Sequence, residues 1–223
     1  MSAQRILIWR HGRTPWNVEN RFQGQADIGL DEVGREQAER SAAVLAALEP
    51  AVLWSSDLSR ARDTAEALAV RTGLTVTTDK RLREIHVGSW EGLVGDEVDA
   101  VDPELSRRLR AGEDVRRSAT GESASEVGER VAEALSELAD SAPDGSTVVA
   151  ASHGLAGRVG AARLVGLPVE HWRLLAGLSN CGWISIDRHR SGEYWRIEQY
   201  NVTAPDVAGP TAGPDFATGD GPR

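Results

Sequence analysis

The chain has 223 residues, enough to bury one substantial core unaided, and its single cysteine, Cys181, excludes an internal disulfide framework and suits a reducing compartment. A formal net charge of −9 counts against non-specific nucleic-acid binding, which depends on Lys and Arg neutralising phosphates. No segment approaches the ~20 apolar residues that span a bilayer, and Arg5 precedes a run of only four, Ile6 to Trp9. Neither a membrane span nor a signal peptide is therefore expected, and a cytoplasmic location is.

In chain order, residues 6–9 read as a buried strand that stops abruptly at Arg10-His11-Gly12. Asp31 is placed to cap a helix running to about Leu48, with Val33, Ala38, Ala42, Leu45 and Leu48 at helical spacing and Pro50 closing it. Residues 51–55 form the next strand. A helix follows over about 59–72, with Gly73 as its stop, and 74–78 is β-branched and strand-like. Residues 94–140 read as mostly helical, broken at Asp102-Pro103 and again over 111–122. A second buried strand, 147–152, enters from the turn 142–146 and leads into a helix over about 155–165. Residues 181–187 and 194–201 flank Arg190-Ser-Gly-Glu193 and read as a hairpin.

Strands alternating with helices imply an α/β fold, a three-layer α/β/α sandwich with a mostly parallel central sheet. Residues 1–203 form one domain. Residues 204–223 hold four Gly and four Pro, a composition expected of a disordered tail. The seven Trp, against two Tyr and two Phe, are expected in the core or on a pocket wall.

Two segments share a pattern, a buried strand followed by His-Gly: Leu7-Ile-Trp-Arg-His-Gly12 and Val149-Ala-Ala-Ser-His-Gly154. Sites in open parallel sheets form beyond the C-terminal ends of the strands. Two adjacent strands ending this way bring two imidazoles together, and the Gly after each lets backbone and ligand approach closely. A lone His at a strand end is more often an ordinary hydrogen-bonded residue than a catalyst. The matched pair shifts that balance, and Arg10 shifts it further, because a guanidinium fork suits phosphate or carboxylate. A fixed cation beside an imidazole also opposes a second cation, so an anion is expected there and no metal.

These residues carry a resemblance. Arg10-His-Gly-Arg-Thr-Pro-Trp-Asn17 resembles the RHG signature of the histidine phosphatase superfamily, also called phosphoglycerate mutase-like. Ser56-Asp-Leu-Ser-Arg-Ala-Arg-Asp-Thr-Ala65, Leu82-Arg-Glu-Ile-His-Val-Gly-Ser-Trp-Glu-Gly92, Gly121-Glu-Ser123 and Ser152-His-Gly154 are similar to its further motifs, in the expected order over roughly residues 4–203. The resemblance implies the phosphoglycerate mutase-like fold and a metal-independent phosphoric monoester hydrolase with no cofactor. It also implies roles. His11 is the nucleophile that becomes phosphohistidine, and Arg10, Arg60 and His153 surround the phosphoryl oxygens. Glu84 is the general acid and then base. Asn17 donates to the phosphoryl group, and Gln23 and Gly24 contact the substrate body. Arg62 and Arg13 are left outside the set, as are His171, His189 and Cys181; His86 is read as a pocket-wall residue.

Mutases of the family carry a longer insertion between the acid and the second His. The compact stretch 85–152 lacks it, which favours water as acceptor. A finer similarity is to the actinobacterial glucosyl-3-phosphoglycerate phosphatases, through Phe22-Gln-Gly-Gln-Ala-Asp27, Arg71-Thr-Gly-Leu74, Leu167-Pro-Val169 with Trp172, Asn180-Cys-Gly-Trp183, and Trp195-Arg-Ile197 with Asn201. The expected partner is a small phosphorylated metabolite, with neither nucleic acid nor membrane, and a homodimer is left open. Three alternatives stand beside this: mutase-type phosphoryl transfer, a phosphoprotein phosphatase recruited through its tail, and a silent sensor of a phosphorylated metabolite.

Overall fold

The computed structural model describes residues 2–205; most of the expected tail, residues 206–223, lies outside the described residues. The apolar runs become strands β1 (Arg5–Arg10), β2 (Val52–Ser55), β3 (Val76–Thr78), β4 (Thr147–Ser152), β5 (Trp183–Arg188) and β6 (Trp195–Val202). They form one sheet in the order β3-β2-β4-β1-β5-β6. Its first four strands are mutually parallel, and the β5–β6 hairpin adds two antiparallel strands beside β1. Strands β1 and β4 are central and buried on both faces, which is why each is nearly continuously apolar.

The helices are α1 (Pro15–Val18), α2 (Glu32–Ala46), α3 (Ser59–Thr72), α4 (Gly95–Val101), α5 (Pro103–Arg110), α6 (Ala124–Ser141) and α7 (Gly154–Leu164). Alternation along the strands divides the core in two. Ile6, Ile8, Val148 and Ala150 join one cluster with Val131, Leu135 and Val159 from α6 and α7. Leu7, Trp9, Val149 and Ala151 join another with Ala38 and Leu45 of α2 and Ala65 and Leu68 of α3. The result is three layers, as expected. Helices α6 and α7 cross closely: a Cβ on Gly160 would lie 2.2 Å from Val131 Cγ1.

Helix ends follow the capping chemistry. Asp31 Oδ1 accepts from Gly34 N at 2.7 Å, a cap that contributes about 1 kcal/mol. Gly73 stops α3 in the left-handed region at φ +75°. Helix α2 ends two residues before the expected Leu48, which is exposed and contributes nothing to the core. Helix α1 and the 3-10 turns Lys80–Leu82, Gly88–Trp90 and Val169–Leu174 were not expected, because three to six residues are too few to display a period. None of the seven Trp is exposed, and Trp9, Trp90, Trp172 and Trp183 are buried. No helix among the described residues is long and apolar enough to cross a membrane.

Candidate active site

The register that pairs Arg10 with Ser152 makes β1 and β4 end level, so the next residues, His11 and His153, leave the sheet side by side. Their ring centroids are 5.2 Å apart, edge to face at 61°. Both rings are buried. His11 Nδ1 lies 2.7 Å from Gly12 O. A carbonyl only accepts, so Nδ1 carries the proton and Nε2 keeps its lone pair. Burial, then the charges of Arg60 and Arg10, hold the His11 pKa well below its ordinary value, so the ring is neutral at pH 7.

His153 is different. Its Nε2 lies 2.9 Å from Ser56 Oγ, and its buried Nδ1 has no hydrogen-bond partner among the described residues. Burial, then Arg60 and His11, push its pKa well down too. The Gln23 Oε1 is a second buried polar atom without a partner there. Such atoms are costly unless something satisfies them.

Two guanidiniums are fixed by backbone carbonyls. Arg60, fully buried near the start of α3, donates to Ala26 O at 2.7 Å and Gly24 O at 2.8 Å, which pins the loop bearing Gln23. Arg10 donates through Nη1 to Leu178 O. Glu84 is held at the start of α7: Oε1 accepts from Ile85 N (2.8 Å) and Ala156 N (3.0 Å), and Oε2 from Leu155 N (3.1 Å). Asn17 Oδ1 accepts from Thr14 N, Thr14 Oγ1 and Asn180 Nδ2, at 3.1–3.2 Å.

Of the residues expected from the sequence, His11, Gln23, Gly24, Arg60 and Glu84 line one small cleft together with Phe22, Ile85, Val87, Arg117 and Leu155. Arg10, Asn17 and His153 do not line it, but His153 contacts the His11 ring. His86, expected on the wall, instead faces Glu91, with Nδ1 3.7 Å from Oε1. Arg62 is at the surface beside Asp63, and Arg13 pairs with the cap residue Asp31 at 2.8 Å. Gly12 does not serve the close ligand approach expected of it. A Cβ there would lie 2.3 Å from Gly34 O, so the glycine admits the start of α2 rather than a ligand. At Gly154 the nearest atoms to such a Cβ belong to the Arg10 guanidinium, at 3.4 Å.

Arg130 and Glu122 were not singled out as site residues. Arg130, on α6, uses all five of its N–H donors on residues 81–84 and Glu122. Nη1 reaches Arg81 O and Arg83 O (2.7 Å each), and Nη2 reaches Glu84 O (3.0 Å) and Glu122 Oε2 (2.8 Å). Nε reaches Glu122 Oε1 (2.8 Å), and Glu122 Oε2 also accepts from His86 N (2.8 Å). Burial alone would raise the Glu122 pKa, but these bonds outweigh it and hold the carboxyl below its ordinary value. Glu122 lay within the Gly121-Glu-Ser123 motif. An Arg on a polar helix face carries no comparable signal.

Neutral imidazole, paired guanidiniums and a tethered carboxyl, all beyond the C-terminal ends of parallel strands, define an anion-handling α/β enzyme. Among the described residues, no group of three or more His, Cys, Asp or Glu is arranged to hold a metal ion. The model of the histidine phosphatase superfamily (branch 1) matches residues 6–203. The glucosyl-3-phosphoglycerate phosphatase of Mycolicibacterium vanbaalenii is 39% identical over 222 residues, covering 92% of this chain and 97% of that protein. A probable phosphoglycerate mutase of Erwinia tasmaniensis is 35% identical over 206 residues, covering 91% and 93% respectively. The solved mycobacterial glucosyl-3-phosphoglycerate phosphatase in complex with VO3 superposes with TM-score 0.83 at 38% identity, over 90% of this chain and 100% of that one. The chain belongs to the histidine phosphatase superfamily. It is a phosphatase, a phosphoric monoester hydrolase.

Proposed function

We propose that the chain hydrolyses glucosyl-3-phosphoglycerate through a phosphohistidine at His11. The observation that carries the mechanism is the fixed tautomer of His11, whose Nδ1–H is held by Gly12 O while burial, then two cationic side chains, keep the ring neutral. The Nε2 lone pair attacks phosphorus; an N–P bond forms as the bond from phosphorus to the glycerate oxygen breaks. Glu84 gives that oxygen its proton. Glu84 then takes a proton from water, which attacks phosphorus, breaks the N–P bond and releases inorganic phosphate. Arg10, Arg60, His153 and Asn17 stabilise charge on the phosphoryl oxygens, and Gln23 and Gly24 meet the substrate body. Arg130 is a positioning residue that keeps the Glu84 segment in place. No metal takes part. The substrate follows from the relatives at 39% identity, and a cytoplasmic location from the cysteine usage.

The 35% identity to a probable mutase supports a second reading, return of the phosphoryl group to an organic acceptor. Phosphate release from glucosyl-3-phosphoglycerate, 3-phosphoglycerate, sugar phosphates and phosphopeptides separates the readings. The expected result is the highest kcat/KM for glucosyl-3-phosphoglycerate, with stoichiometric inorganic phosphate. Isomerised phosphoglycerate without phosphate release would establish the mutase instead, and preference for a phosphopeptide would overturn the metabolite reading.

A further inference from the structure

Three neighbouring strands, β2, β4 and β1, are each followed at their C-terminal ends by a polar residue: Ser56, His153 and His11. Ser55 pairs with Ala151, and one further backbone bond, from Ser56 N to Ala151 O at 2.9 Å, carries the pairing past the end of β2. That bond sets Ser56 beside His153. The next residue, Asp57, is held by two bonds of 2.6 Å from Arg83. Ser56 and His153 are both fully buried.

The hydroxyl of Ser56 has one proton to give. Its oxygen lies 3.3 Å from Leu58 N and 2.9 Å from His153 Nε2. Leu58 N only donates, so among the described residues Nε2 is the one acceptor within reach of that proton. A proton on Nε2 would leave the hydroxyl proton buried with nothing to receive it, a costly arrangement. Nε2 therefore accepts, and the proton of the neutral ring sits on Nδ1, the buried nitrogen without a partner among the described residues.

We infer that Ser56 is a positioning residue: it fixes His153 in the Nδ1–H tautomer, so that the ring meets a phosphoryl oxygen as a neutral hydrogen-bond donor. The inference rests on the phosphatase reading of the cleft and adds how its second histidine is set. In the opposite tautomer Nε2–H would be spent on Ser56, and Nδ1 would offer the anion a lone pair, which repels it. A neutral donor also suits a place where Arg60 and Arg10 already oppose a further cation.

Ser56→Ala removes the hydroxyl and adds no bulk. The phosphorylation burst with p-nitrophenyl phosphate should slow roughly tenfold, short of the ~10²–10³-fold expected when the donor itself is removed. In a His153→Ala background the same substitution should change the rate by less than about twofold, because the serine acts only through the ring. Nitrogen-15 spectra of the histidines should show His153 protonated on Nδ1 and bare on Nε2 in wild-type enzyme, and an Nε2–H form appearing in Ser56→Ala. The wild-type spectrum tests the tautomer whether or not the variant folds. A wild-type ring protonated on Nε2, or a loss in Ser56→Ala that is the same with and without His153, overturns the inference. Either result leaves the phosphohistidine reading standing if quenched wild-type enzyme carries its label on His11. A wild type without that label would remove the reading itself, and the role of Ser56 with it.

Discussion

His11 and His153 occupy equivalent places: each follows a central strand, each precedes glycine, and each is buried with its pKa driven down mainly by that burial. Their hydrogen bonds are not equivalent. The proton of His11 is fixed by the carbonyl of its own neighbour, so the reactive nitrogen is prepared before any ligand arrives. His153 is anchored through Nε2 on Ser56, the residue after β2, and its Nδ1 has nothing to bond within the described residues. Matched positions in the sheet bring the rings together, but the local partner of each nitrogen decides whether a ring attacks or receives. The first is set by one peptide unit, the second by tertiary assembly and by the ligand.

The sharpest way to break this contrast is to remove each ring in turn. His11→Ala should lower turnover by at least about 10³-fold, since only binding and electrostatics remain. His153→Ala should cost roughly 10²–10³-fold, the range for losing one charge-stabilising donor. Quenching after mixing with phosphate-labelled substrate distinguishes the roles beyond rate. Wild-type and His153→Ala enzymes should carry an acid-labile phosphoryl group, and His11→Ala should carry none. Label persisting without His11 would reverse the assignment.

The two histidines were legible because a buried strand ending in His-Gly repeats in the chain, and a sheet order that sets β1 against β4 needs only those two runs. The helix from 59 to 72 was legible to the residue, since Gly73 forces its end. What escaped was what short range cannot encode. Arg130 acts across 46 residues on Glu84, and nothing near it in sequence marks that contact. Asn180 touches His11 O and Asn17 from 169 and 163 residues away, and was noticed only as part of a subgroup pattern. The packing reason for Gly12 is not legible locally, because its neighbour Gly34 lies on a helix whose approach no local pattern reveals.

A milder test concerns that long-range support, which Glu84 needs and His11 does not. Arg130→Lys keeps the charge but offers three donors where the guanidinium offers five. A misplaced Glu84 should lower kcat on alkyl phosphates by roughly 10–100-fold, as sub-ångström displacement of a catalytic group does, with KM little changed. The phosphorylation burst with p-nitrophenyl phosphate should fall distinctly less, because that leaving group hardly needs a proton. Glu84→Gln should show the same dependence on leaving group with a larger loss. Equal losses for both esters in Arg130→Lys would make the residue a general scaffold rather than a support for proton transfer.

The smallest effect is thermodynamic and treats the histidines as equals again. Both are neutral and buried when folded, but in the unfolded chain each takes up a proton near its ordinary pKa of about 6.5. A folded pKa below the unfolded one means that the unfolded state binds more protons as pH falls below 6.5. Stability from this source is therefore full above that value and is lost as pH decreases toward the folded pKa. Within that window each histidine costs about 1.4 kcal/mol per pH unit. Thermal unfolding followed at pH 7.5 and pH 5.5 should show a drop in Tm, in the absence of phosphate. His11→Asn and His153→Asn should each shrink that drop by a few degrees, since about 1 kcal/mol moves Tm by ~2–4 °C in a chain of this size. Phosphate should narrow the contribution of His153 more than that of His11, because a nearby anion favours protonation of a ring whose Nδ1 has no partner among the described residues, while Gly12 O keeps the other in its tautomer. A drop unchanged in both variants would mean that the rings titrate alike in the folded and unfolded chain, and the lowered pKa of the buried histidines would be wrong.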